Sequence, residues 1–185
     1  MRITKDKARE NRERVVAEAG RLFRQKGFEG VGVAELMRAA GLTHGGFYNH
    51  FDSKEAVEAA ACDALFANSI ARIEAVASLE SDSERRAAFD AYRRRYVSPE
   101  ARDAPGPACP MAAFAADMSR QSGPARASYA RGLRAYLEAF ERAGGGDRGE
   151  AMRAFFGLVG ALTLARSVAA EDPELSTEIL EAAIG

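Results

Sequence analysis

VAELMRAAGLTHGGFYNHF, residues Val33 to Phe51, reads as two short helices joined by a tight turn. Val33, Leu36, Met37 and Ala40 recur at helical spacing on one face, Gly41 offers the positive-φ break, and Thr43 is a good N-cap for a second short helix. Two helices in that relation form a helix-turn-helix. From Leu36 to Phe51 there is no acidic residue, while Thr43, His44, Tyr48, Asn49 and His50 offer hydrogen-bonding side chains to a phosphate-lined groove. Gly45 and Gly46 each cost a helix interior roughly 1 kcal/mol relative to alanine. Such a helix is marginal alone and has to be held by Phe47 and Phe51 packing inward. Glycine at those two positions allows backbone to approach a phosphate or a base edge closely.

The surrounding residues carry a resemblance. Phe23, Gly27, Phe28, Leu36, Ala40, Gly41, Leu42, Thr43, Phe47, Tyr48, Phe51, Ser53, Lys54 and Glu55 keep register with the DNA-binding signature of the TetR family of bacterial one-component transcriptional regulators. The resemblance runs over roughly residues 9 to 60. It implies a homodimeric regulator, most often a repressor, that binds a palindromic double-stranded operator and is released by a small-molecule inducer. One departure stands out: where the family usually caps the first motif helix with a hydroxyl residue that touches phosphate, this chain has Val31 and Gly32. Backbone N–H groups are expected to make that contact instead.

At 185 residues and 47% hydrophobic, the chain is long enough to bury a substantial core. Two cysteines, Cys62 and Cys109, are too few for a disulfide framework, and the first residues are charged with no apolar leader segment, so a cytoplasmic protein is expected. The apolar, uncharged run Ala154 to Ala165 holds 12 residues and is short of a membrane span, so no membrane partner is expected. Residues 1–54 hold 11 Lys and Arg against 7 Asp and Glu, whereas the remainder holds 15 against 20, which gives weak support to a basic DNA-facing end.

The rest of the chain reads as helices throughout, with no strand-like alternation, so the fold class is all-α. A helix-turn-helix domain over residues 1–53 is expected, followed by a larger helical domain over 54–185 for inducer binding and dimerisation. The lead-in from Arg2 to Arg14 either reaches phosphates or an adjacent minor groove, or is a frayed, solvated end. A first long helix carries Val15, Ala19, Leu22 and Phe23 on its buried face and ends at Gly27. After the motif, Asp52 and Ser53 cap a helix running to about Leu79, with Glu55 as a capping-box partner. Lys54 lies in its first turn, where a cation opposes the helix dipole and a phosphate is the expected counter-charge.

Further on, Phe89, Tyr92 and Tyr96 share one face of a helix whose Arg93, Arg94 and Arg95 read as a solvated face. Ser98 to Ala108, SPEARDAPGPA, is expected to be one long loop because of its three prolines. A helix then begins at Pro110 with Met111, Phe114, Ala115 and Met118 on one face, and the next carries Tyr129, Leu133, Tyr136, Leu137 and Phe140. Gly144 to Gly146 reads as a connector. The last two helices, near Arg148 to Ala170 and Asp172 to Ile184, include AFFGLVGALTLA, which is apolar all round. That pattern means either a central core helix or a subunit interface. The resemblance favours an interface, with Phe156, Val159, Leu162, Leu175 and Ile179 as dimerisation residues.

Candidate DNA contacts are therefore Thr43, His44, Gly45, Gly46, Tyr48, Asn49, His50 and Lys54. Of these, Tyr48 and Lys54 are assigned to phosphate and Thr43, His44 and Asn49 to bases. Candidate pocket residues are Phe66, Phe89, Tyr92, Met111, Phe114, Met118, Tyr129 and Phe155, although residues of these types more often simply fill the core. Catalysis has little to draw on: both histidines lie in the motif, so no Ser-His-Asp, Cys-His or zinc arrangement is available elsewhere, and no enzyme activity, cofactor or metal is expected; a helical enzyme relying on carboxylates and a helical adaptor for a partner protein are the remaining alternatives. Cys109 precedes Pro110, which favours the first helical position. It thus falls at an N-cap where helix N–H groups favour a thiolate, so a thiol-based redox or electrophile sensor is the alternative to a non-covalent inducer.

Overall fold

The first 22-residue helix, α1 (Lys5–Lys26), starts where Thr4 accepts a hydrogen bond from the Lys7 N–H and stops at Gly27, whose φ of 72° no side-chain-bearing residue adopts easily. In this computed structural model residues 4–103 and 109–184 are described. Arg2 and residues 104–108, on which parts of the basic lead-in and the expected loop fall, lie outside the described residues. The helices that follow are α2 (Val33–Ala39), a six-residue 3-10 helix (His44–Asn49), α3 (Lys54–Ala77), α4 (Asp82–Tyr96), α5 (Pro99–Asp103), α6 (Pro110–Arg120), α7 (Gly123–Gly144), α8 (Arg148–Val168) and α9 (Pro173–Ala182). No strand occurs among the described residues, and the fold is all-α.

The described residues fall into two compact units, one within Met1–Phe66 and Phe114–Gly132, the other within Ala67–Ala113 and Leu133–Gly185. The first unit is therefore not the contiguous segment 1–53: it also takes in the first half of α3 and parts of α6 and α7. Packing explains why. Phe23 stacks on Phe28 with ring centroids 4.7 Å apart, and Phe28 meets Phe114 at 4.8 Å, so an α6 side chain completes the core beneath α1. Gly20 lets Leu65 of α3 lie at van der Waals distance, 3.4 Å from where a Cβ would stand. Phe66 is 2% exposed and meets Tyr129 edge-on at 5.4 Å, and Gly132 of α7 faces that same ring.

In the second unit an aromatic cluster forms the core. Phe89 packs on Phe140 at 4.9 Å, and Phe155 meets Phe140 and Tyr136 at 5.4 and 5.2 Å. Asp147 caps α8 by accepting from the Gly149 and Glu150 N–H groups, and Gly145, at φ 70°, makes the turn that brings α8 back after α7. Helix α9 is locked to α8 by Ser176, wholly buried, which donates to the Ala165 carbonyl at 2.9 Å and accepts from Arg102 at 3.1 Å.

The start of the proline-rich segment is helical. Ser98 accepts from the Ala101 N–H at 3.2 Å and Pro99 takes the first position, so Ser98-Pro99-Glu100 is a helix start, and α5 occupies residues that were expected to be loop. Ala115 is exposed rather than on the buried face of α6.

Candidate DNA-contact surface and effector pocket

Helix α2 begins at Gly32, which makes no side-chain cap, and ends in the turn at Gly41, φ 69°. The Leu42 N–H then returns to the Met37 carbonyl at 2.8 Å, closing the turn. The second motif element is a 3-10 helix rather than an α-helix, in keeping with two helix-weakening glycines in six residues. Thr43 stands at its N-cap position, but the Thr43 hydroxyl accepts no capping bond. Phe47 and Phe51, 1% and 4% exposed, anchor it, with rings 6.0 Å apart and the Arg12 guanidinium over Phe51 at 4.6 Å.

That anchoring turns the opposite side outward. Thr43, His44, Gly45, Tyr48 and Asn49 are exposed, Tyr48 at 74%, and Gly46 and His50 are half-buried. A Cβ on Gly45 would meet nothing within 4 Å, so nothing inside the chain requires glycine there, and the bare backbone faces outward.

Lys54 is employed differently from expectation. Its ammonium donates to the Phe28 carbonyl at 2.7 Å and pairs with Glu58 at 3.4 Å. The local reason for a cation in this first turn is thus an internal acceptor and a buried acid, with no phosphate required. Glu58 is 4% exposed; burial pushes its carboxyl up, and Lys54 offsets part of that rise. The cap of α3 is Ser53, which accepts from the Ala56 N–H, and Glu55 bonds to the Ser53 hydroxyl rather than acting with Asp52. Sequence reasoning also missed the pairing of Lys26 with Glu35 at 2.6 Å, which ties the end of α1 to α2.

Lys54→Ala is expected to destabilise the protein by roughly 2 kcal/mol, because it orphans a part-buried carbonyl and leaves a buried carboxylate unpaired. The sign with pH follows from Glu58, whose pKa is raised in the fold. The cost is full at neutral pH and shrinks as pH falls through the carboxylate range, where Glu58 takes up a proton. Urea denaturation of both proteins at neutral and acidic pH measures this; an equal loss at the two pH values would remove Glu58 from the account.

The second unit holds a pocket of about 400 Å³. Its walls come from the second half of α3 (Ser69, Arg72), from α4 (Tyr92, Arg95, Tyr96), from α5 (Glu100, Ala101), and from Cys109, Tyr136, Leu162 and Arg166. Of the eight residues expected to line it, only Tyr92 does. Phe66, Phe114, Met118 and Tyr129 belong to the first unit, where the first three are buried in its core. Phe89 and Phe155 are committed to the aromatic cluster, and Met111 is 1% exposed with its sulfur 3.5 Å from that of Cys109. Large aromatics fill cores by preference, which is why periodicity alone could not separate lining from packing. Arg95, placed by sequence on a solvated face, stands in the pocket wall.

Cys109 does sit at the start of α6, its carbonyl accepting from the Ala113 N–H at 3.2 Å. The thiol, however, is buried, and burial pushes its pKa up, the reverse of the expected thiolate. Cys62, wholly buried, is pushed up to about 12.

The dimerisation candidates also divide. Leu162 is 1% exposed and lies in the pocket wall of its own chain, whereas Phe156 and Leu175 are 56% and 41% exposed, and Val159 and Ile179 are half-buried. Leu164, missed by sequence, is 58% exposed. Phe156, Gly160 and Leu164 follow one another at four-residue spacing on a single face of α8, and a Cβ on Gly157 or Gly160 would meet nothing within 4 Å.

The outward-facing motif has counterparts among known proteins. The model for bacterial regulatory proteins of the TetR family matches residues 15–61, which cover α1 from Val15 on, α2, the 3-10 helix and the start of α3. Residues 15–61 carry the DNA-binding motif of the TetR family. Over 54 residues it is 41% identical to the HTH-type transcriptional regulator YerO of Bacillus subtilis and 39% identical to the HTH-type transcriptional repressor NemR of Escherichia coli, 29% of this chain in each case. The matched part spans 19% of YerO and 27% of NemR. In structure, the reduced form of Escherichia coli NemR superposes with a TM-score of 0.78 at 25% identity, covering 95% of this chain and 93% of that one. A TetR transcriptional regulator from Chloroflexus aurantiacus gives 0.71 at 26% identity, covering 97% and 92%. The chain thus shares the fold of these solved structures along nearly its whole length, while the family match runs from α1 to the start of α3.

Proposed function

We propose that this chain is a cytoplasmic, homodimeric transcriptional repressor of the TetR type that binds a palindromic double-stranded operator and releases it when a small molecule occupies the pocket. The observation that carries the reading is the motif's exposed face: Thr43, His44, Gly45, Tyr48 and Asn49 point outward while Phe47 and Phe51 are buried beneath them. Polar side chains on one rigid face beside bare glycine backbone suit phosphate contact and base reading together. Tyr48 and, through backbone N–H groups, the Gly32 turn are assigned to phosphates; Thr43, His44 and Asn49 to base edges. Gly46 and His50 flank them, and Lys54 supports the motif from below.

Dimerisation is assigned to the Phe156–Gly160–Leu164 face of α8 together with Leu175 of α9. Exposed large apolar side chains next to glycines that admit a close neighbour suit helix packing between copies. Helix α8 is the one described helix long and apolar enough to cross a membrane. Its Arg166, donating to the Ala101 and Arg102 carbonyls of α5 at 2.6 and 3.2 Å, instead ties it into the protomer. A non-covalent effector is preferred over thiol chemistry, since burial holds Cys109 protonated and a protonated thiol is a poor nucleophile.

Binding-site selection tests the assignment. Asn49→Ala is expected to relax preference at one position per half-site, by about 1–3 kcal/mol of discrimination. Tyr48→Phe is expected to weaken specific and non-specific binding alike, by about 1 kcal/mol. An unchanged consensus with Asn49→Ala removes Asn49 from base reading.

A further inference from the structure

The pocket in the second unit is unusual in its charge. Arg72, Arg95 and Arg166 stand in its wall against a single acid, Glu100. Among the described residues none of these arginines has a carboxylate at ion-pair distance: Arg72 donates to the Ser69 hydroxyl at 3.1 Å, and Arg166 directs its donors to α5 carbonyls. Glu100 is already bonded to Ser98. The wall therefore presents an excess of positive charge that the protein does not neutralise itself.

Neutral hydroxyls accompany the cations. Tyr92 and Tyr136 share a hydrogen bond at 2.6 Å, which engages only one of their two protons. The buried Tyr96 hydroxyl, also in the pocket wall, has no oxygen or nitrogen partner and only the Cys109 thiol beside it. Burial keeps all three phenols un-ionised, so they remain donors. A buried hydroxyl left this poorly partnered is uncommon and costs the fold unless something fills the need.

From this arrangement we infer that the effector is an organic anion, its carboxylate or similar head held by Arg72 and Arg95 and a phenolic O–H, its uncharged body against Leu162 and Ala101. Guanidinium groups bind carboxylates by charge-assisted hydrogen bonds, and a partly enclosed site strengthens them. This rests on the regulator reading and deepens it by naming the chemical class that occupies its pocket.

The test uses the full chain and a fluorescent pair, dansylglycine, a carboxylate, and dansylglycinamide, its neutral counterpart. Dansylglycine is expected to bind at least tenfold more tightly, and the preference is expected to vanish in Arg72→Gln/Arg95→Gln. Both arginines are exposed, so the variant is expected to keep its unfolding midpoint. Should it fail to fold, added salt weakening dansylglycine but not dansylglycinamide decides the question in the unaltered protein. Equal or tighter binding of the amide, binding of neither probe, or a preference that survives the double substitution overturns the inference. Operator binding is measured without either probe, so its loss would count against the regulator reading alone.

Discussion

Leu164→Glu is expected to yield a folded monomer that binds operator at least a hundredfold more weakly than the unaltered protein. Leu164 is 58% exposed in the protomer, so a charge there costs the isolated fold little. In a two-fold interface the same substitution appears twice. Each copy forfeits roughly 1.5–3 kcal/mol of apolar burial and places an unpaired carboxylate where water is excluded. Operator affinity falls with it, because joining two half-site readers makes the second contact intramolecular, a gain of about 10²–10⁴ in binding. Leu162→Glu is the contrasting substitution: Leu162 is buried in its own chain, so that change acts on the protomer's stability instead. Sedimentation and operator titration of the two variants separate these effects. A dimeric Leu164→Glu protein would move the interface off this face of α8.

The second large effect concerns packing inside the first unit. Gly132→Ala is expected to lower the unfolding midpoint by roughly 2–10 °C, corresponding to about 1–3 kcal/mol of overpacking. Helix propensity alone argues the other way, favouring alanine in the middle of α7 by roughly 1 kcal/mol. The neighbour decides the sign. A Cβ on Gly132 would overlap the Phe66 ring and come within 2.8 Å of the Phe66 Cβ, closer than carbon atoms approach without displacement. Phe66 has nowhere easy to go, being 2% exposed and held edge-on to Tyr129. Calorimetry of Gly132→Ala, with Phe66→Leu added to relieve the overlap, is the measurement. A raised midpoint for Gly132→Ala alone would show that α7 can shift away.

Much of the motif was legible because its determinants are local. Apolar spacing over Val33 to Ala40, a positive-φ glycine at Gly41 and inward Phe47 and Phe51 are decided within a few residues, and all reappear in the structure. The all-α class followed for the same reason, since helical periodicity needs no distant partner. What lay beyond the sequence was decided by residues far apart along the chain. Lys54 found an acceptor in Phe28, 26 positions earlier, and so changed from an expected phosphate ligand to a support of the motif. Phe114 completed the core under α1, which drew later helices into the first unit. Leu162 and Leu164 are two positions apart in the same apolar run, yet one lies in a pocket wall and the other faces out. An apolar side chain records only that burial is favourable. Which surface buries it, and which cations are left unneutralised around a cavity, is settled when helices distant in sequence pack together.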